Sequence, residues 1–244
     1  MNKGFYFLGR GPNTPPKRRT FFGRAPRVYG IPISDWEQVG SGNLQSPIDL
    51  GKKHKGAFGR ISFRYGPVPL HPARLTDRSL EIPVASAHPP IGMFLMGDFF
   101  ELDRLQFHTP SEHKIANKRF AMSAHLVHHR HQLTAVVGVL FQVDKFNPGF
   151  ERILDSALGN PCDPTGTQPD PVDLTHFIPD KGSYYRYLGS LTTAPHTEGV
   201  IWTVFDTPLD IADFQYRRLL GSMKSNARPI QPTNDRTIKY FLRH

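Results

Sequence analysis

Six of the chain's 12 histidines, His108, His113, His125, His128, His129 and His131, fall within 24 residues. Neutral imidazole is the commonest protein ligand for zinc. Three imidazoles around one ion, with a fourth position left to water, lower that water's pKa to about 7 and generate hydroxide near neutral pH. Histidines also gather on surfaces and in cores without any metal, and clustering alone does not separate the two readings. The single cysteine, Cys162, excludes an intramolecular disulfide and reads as a plain structural or surface thiol.

The elements that must position these histidines read mostly as strands. Segments 60–65, 79–84, 93–96, 99–108, 124–128, 134–143 and 199–205 alternate or run apolar in strand fashion. Phe150, Ile153, Leu154 and Leu158 share one helical face, which predicts a short helix over 150–158. A second helix is expected over 210–220, capped by Asp210 or Asp213 behind Pro208. Segment 160–182 reads as irregular. With 23 prolines and 21 glycines, turns and short strands are favoured over long helices. A hydrophobic fraction of 38% suits one globular core and argues against global disorder. No stretch approaches the roughly 18 apolar residues of a membrane-spanning helix, and no apolar secretory core opens the chain.

The net charge of +9 is carried by the two ends. Residues 1–34 hold seven Lys/Arg and no acid, and residues 214–244 hold seven Lys/Arg and one acid, Asp235. Between them 16 basic and 20 acidic residues give a net of −4. Residues 1–28 form a basic extension in which Gly, Pro and aromatics interrupt any period. Such an arm is expected to add little to a core and to meet another protein, RNA or anionic lipid, or to remain a solvated tail. The domain proper is expected over 29–244.

Around the histidines the pattern is specific. Phe100-Glu-Leu-Asp-Arg-Leu-Gln-Phe-His-Thr-Pro-Ser-Glu-His113 and Phe120-Ala-Met-Ser-Ala-His-Leu-Val-His128 resemble signature strands of the α-carbonic anhydrases. Gln45-Ser-Pro-Ile-Asp49, Leu188-Gly-Ser-Leu-Thr-Thr-Ala-Pro195 and Asn226-Ala-Arg-Pro-Ile-Gln-Pro232 match in the family's order, and Trp202 follows at the family's spacing. The resemblance covers roughly 29–244. It implies a mainly β fold with short helices around a twisted central antiparallel sheet.

The family holds zinc on histidines at i and i+2 of one strand and a third on its neighbour. Side chains alternate along a strand, so i and i+2 share a face. Carried over, the second and third ligands are His108 and His125, and the first position holds Gln106. Placing His108 first instead would put Pro110 second, so this strand supplies one histidine in either register. The family's acidic residue that supports the third ligand is Ser123 here. Glu112 and Thr192 match the pair that orients the metal-bound hydroxide, and Thr193 the threonine beside it. Val127, Val136, Leu191 and Trp202 match the apolar wall of the carbon dioxide pocket. All of these have an equally ordinary structural reading. His88 stands near the family's proton-shuttle position in a short loop and reads as an exposed histidine.

A neutral amide is a poor zinc ligand beside imidazole. Losing a supporting carboxylate weakens a site a further 10–100-fold or so. The resemblance therefore implies zinc absent or weakly bound, and a catalytically inactive relative that keeps the fold. Its expected role is a structural or accessory subunit of a larger assembly, a respiratory complex or a ribosome. The Arg-rich, acid-free start makes the mitochondrion the expected compartment. The alternatives are an active zinc lyase with a non-standard ligand, and a nucleic-acid-contacting subunit using the basic arm.

Overall fold

The computed structural model describes residues 27–51, 54–55, 60–76, 79–159 and 171–242. Most of the 1–28 extension and Cys162 lie outside them. In chain order the strands are β1 (Arg27–Val28), β2 (Ile31–Pro32), β3 (His54–Lys55), β4 (Ile61–Arg64), β5 (Pro67–Val68), β6 (Arg74–Thr76), β7 (Ser79–Pro83) and β8 (Gly92–Leu95). They continue as β9 (Asp98–His108), β10 (Met122–Arg130), β11 (Leu133–Val143), β12 (Val172–Asp173), β13 (Tyr184–Ser190), β14 (Glu198–Phe205), β15 (Leu209–Ile211) and β16 (Lys239–Phe241). The helices are α1 (Ile33–Trp36), α2 (Pro148–Leu158) and α3 (Asp213–Ser222). None of the described helices is long and apolar enough to cross a membrane.

Twelve strands form one sheet in the order β3-β16-β13-β14-β11-β10-β9-β7-β6, with β15 on β11 and β8 joining β4 to β9. Most pairs are antiparallel, as expected, but β14 and β15 run parallel to β11 and β3 parallel to β16, so the sheet is mixed. β1 pairs with β2, so the last two residues assigned to the extension form a hairpin with the first strand of the domain.

The sheet buries both faces. One carries the larger core, with Leu105, Phe107, Ala124, Leu126, Val137 and Ile201 packed towards α2. The other carries a smaller core of Val127, Val136, Leu140, Tyr187, Trp202 and Val204. Two-sided burial explains why the central strands read as near-continuous apolar runs. The approach of β8 to β9 is close enough that a Cβ on Gly92 would lie 2.0 Å from the Phe100 carbonyl oxygen.

Helix α2 forms where its apolar face predicts. Phe150, Ile153 and Leu154 are buried, and the Asn147 side chain accepts the Phe150 N–H at 2.9 Å. The second helix corrects the expectation. Asp210 lies in β15 and Asp213 is the first helical residue, so neither caps α3. Gln215 does that work from inside the helix: its Oε1 accepts the Ala212 N–H at 3.0 Å, and its Nε2 donates to the Asn147 carbonyl at 2.8 Å.

Candidate metal centre

Strand register places the predicted residues in two adjacent rows. Across β7, β9, β10 and β11, Glu81 pairs with Gln106, Gln106 with His125, and His125 with Gly138. One step along, His108 pairs with Ser123. Residues 106 and 108 of β9 and 123 and 125 of β10 therefore share one face, as the i, i+2 spacing requires. The next row on that face joins Val127 to Val136 and Val136 to Trp202. Leu191 packs against it, half-buried. The wall read from sequence is thus one continuous surface beside the histidines. His125 lies 4.8 Å from Trp202 and 4.6 Å from His108 between ring centroids.

Four side chains at the centre are almost sealed: Gln106 is 3% exposed, His108 0%, Glu112 1% and His125 1%. The turn after β9 is tied to the C-terminal motif. The Thr109 N–H donates to Asn226 Oδ1 at 2.9 Å, and Arg228 donates its backbone N–H to Glu112 Oε1 at 2.9 Å. Arg228 Nη1 also reaches Gln45 Oε1 at 3.1 Å and the Ser46 carbonyl at 2.6 Å. Three motifs far apart in sequence thus hold one another and fix Glu112.

The first-ligand position is committed elsewhere. Gln106 Nε2 donates to Glu81 Oε1 at 2.5 Å, and Ser79 Oγ donates to the same oxygen at 3.2 Å. The Ser123 hydroxyl oxygen accepts the Glu112 N–H at 3.3 Å. His125 Nε2 is left with no hydrogen-bond partner among the described residues. Glu112 Oε2 likewise has none, so its bond to Thr192 is not made, although Thr192 is buried at 5% exposure. Thr193 is half-buried beside it, and His88 is exposed in the loop before β8.

Burial holds the imidazoles neutral. It pushes His125 well below the usual range, with His108 and His113 adding to the effect. His108 is also lowered by burial, partly offset by Glu112 and Glu81. His113 is pushed down to about 3 by burial. Its Nε2 meets the Tyr187 hydroxyl at 2.7 Å, and that hydroxyl meets Ser46 Oγ at 2.8 Å. His113 is therefore held by a buried network behind the site.

The roles of two residues are not visible in the sequence. His113 stood inside a quoted motif without a role. Glu81 carried no signal at all, because only the β7–β9 register brings it opposite position 106.

A zinc cage of three imidazoles does not fit these residues. Two imidazoles are present, the third position is an amide bonded to a carboxylate, and the third ligand's support is a hydroxyl aimed elsewhere. The surrounding architecture is nonetheless shared. The chain is 32% identical over 228 residues to alpha carbonic anhydrase 7 of Arabidopsis thaliana, covering 89% of this chain and 82% of that one. It is 31% identical over 230 residues to dioscorin DB3S of Dioscorea polystachya, covering 88% and 83%. The solved complex of the Thermovibrio ammonificans α-carbonic anhydrase with the inhibitor sulfanilamide superposes with a TM-score of 0.72 at 30% identity, over 82% of this chain and 88% of that one. The eukaryotic-type carbonic anhydrase family matches residues 33–241, and with the register, the wall and the Glu112 turn in place, this chain belongs to that family.

Proposed function

We propose that this protein is a carbonic anhydrase-like subunit that does not hydrate carbon dioxide and serves a structural or accessory role in a larger, mitochondrial assembly. The observation that carries the reading is the Gln106–Glu81 hydrogen bond. It ties up the amide at the first-ligand position, beside His108 and His125 on the same face. Ser123 adds to it, since a hydroxyl bonded to the Glu112 N–H replaces the carboxylate that would support His125. As isolated, the protein is expected to carry well under one zinc per chain, measured by elemental analysis of tag-free material.

The assembly role is supported by the basic ends, and the compartment by an Arg-rich start without acids. Removing residues 1–26, which spares the β1–β2 hairpin, is expected to leave cooperative unfolding intact. Co-migration with a large particle in a gradient of mitochondrial extract should fall about tenfold, the loss of about 1.4 kcal/mol of anchoring. A truncated chain that fails to fold would place the arm inside the domain. Binding of the full chain to RNA with a steep salt dependence would favour the nucleic-acid role. The active-enzyme reading draws its support from relatives that carry the name carbonic anhydrase.

A further inference from the structure

We infer that the outward face of α3, with the 143–146 segment beside it, seats a second copy of this chain about a two-fold axis, the two α3 helices running antiparallel. Among the described residues, four of the seven exposed large apolar side chains fall here: Val143 at 43% exposure, Phe146 at 54%, Phe214 at 56% and Leu220 at 40%. Apolar side chains scattered singly over a surface are ordinary, whereas a gathered patch marks a place of interaction. The two phenylalanines stack on each other in the open, with ring centroids 5.9 Å apart and planes 17° from parallel.

The patch stands on a fixed base. Gln215 is buried, accepts the Asn147 N–H at 3.0 Å and donates to the Asn147 carbonyl at 2.8 Å. Arg218 ties α3 to α2 through Glu151 at 2.8 Å and Asp155 at 2.7 Å. Docking against such a surface costs little ordering. The inference stands on this face alone, whatever the state of the His108–His125 site.

Charge and shape choose the occupant. Asp213, Phe214, Arg217, Leu220 and Gly221 are all exposed, and at 3.6 residues per turn they fall within one arc of about 120°. The charges on the patch are two acids and two bases, Asp213 and Arg217 on the helix and Asp144 and Lys145 beside it. Asp213 and Arg217 pair at 2.8 Å, which leaves the helix face without net charge. RNA or an anionic membrane would meet both acids as like charges. The same surface turned through a two-fold axis can meet each acid with a base.

Helix α3 spans ten residues, Asp213–Ser222. An antiparallel copy aligned on its middle brings position 214 opposite position 221, twice by symmetry. The Phe214 ring then lies over a residue without a side chain. Nothing in the chain's own fold calls for that glycine, because a Cβ on Gly221 would meet no atom within 4 Å. Glycine is unfavourable inside a helix relative to alanine, and the approach of a ring from outside accounts for it.

The test is sedimentation velocity of the tag-free full chain over a range from about 1 to about 200 µM, with a reversible dimer of dissociation constant about 10 µM expected for so small a patch. Phe214→Ser removes the central ring and should weaken the dimer at least about 30-fold. Gly221→Gln fills the space the ring needs and should weaken it at least about tenfold, with the monomer's melting temperature unchanged or raised. If Phe214→Ser fails to fold by circular dichroism, Gly221→Gln still decides. A chain that stays monomeric throughout, or a dimer undiminished in either variant, would overturn the inference. Dimerisation that appears only after removal of residues 1–26 would assign the face to the chain's own arm. A monomer that binds phosphatidylserine vesicles through Phe214 would assign it to a lipid surface. Either result overturns the inference as well.

Discussion

The double variant Gln106→His with Ser123→Glu is expected to bind zinc at least about a thousandfold more tightly than the unmodified chain. A restored imidazole supplies the third nitrogen, and the restored carboxylate beside His125 contributes roughly 10–100-fold of that gain. The register supports both changes, since residue 106 lies opposite His125 and residue 123 opposite His108 on the same face. Glu on residue 123 gives the unpartnered His125 Nε2 an acceptor. With three imidazoles holding the ion, Glu112 Oε2 stays available to accept the Thr192 hydroxyl, and chelator-sensitive hydration should appear. Competition against a chromophoric chelator measures the first effect and stopped-flow hydration the second. An unchanged zinc affinity would mean that the cavity differs from its active relatives beyond these two residues.

A second large effect concerns pH. His108, His113, His125 and His128 are all 0–1% exposed, and burial lowers the pKa of each, to about 3 for His113 and His128. A base whose folded pKa lies below its unfolded value of 6.5 stays neutral in the native state while the unfolded chain takes up protons. The stability is therefore full above pH 6.5 and is lost as pH falls below it. A histidine pushed down to about 3, as His113 and His128 are, costs about 1 kcal/mol between pH 6.5 and 5.5, and about 1.4 kcal/mol for each further unit until its folded pKa is reached. His113 and His128, both pushed down to about 3, together remove roughly 2 kcal/mol over the first unit, and the lowered His108 and His125 add to that loss. Against a typical domain stability of about 5–15 kcal/mol, acid unfolding should set in near pH 5. Urea midpoints at pH 7.5, 6.5 and 5.5 check this, and a midpoint that stays flat across that range would contradict it. Stoichiometric zinc at the site should flatten the dependence, because the metal competes with protons for His108 and His125.

The strands that position the site were legible because they are long and two-sided in their burial. Segments 99–108 and 134–143 correspond to β9 and β11 to within a residue at each end. Strand β13 does not show in the sequence as a strand, because Tyr184, Tyr185, Arg186 and Tyr187 carry polar atoms that mask its complete burial. Asp210 and Asp213 looked like caps because acids favour helix starts, yet β15 pairs with β11 and takes Asp210 into the sheet. At the site, Gln106 and Ser123 were identifiable as substitutions only through the family resemblance. Composition and spacing alone could not mark what was missing. What those residues do instead was beyond sequence. The partner of Gln106 is Glu81, 25 residues away on another strand. The partner of Ser123 is a backbone N–H in the turn after β9.

The proposed absence of hydration activity is tested most directly by stopped-flow carbon dioxide hydration with the unmodified full chain at saturating zinc. Supplying the metal separates a defective site from an empty one. The expected rate is indistinguishable from the uncatalysed background, with or without added zinc. Turnover that rises with zinc and disappears on chelation would contradict it.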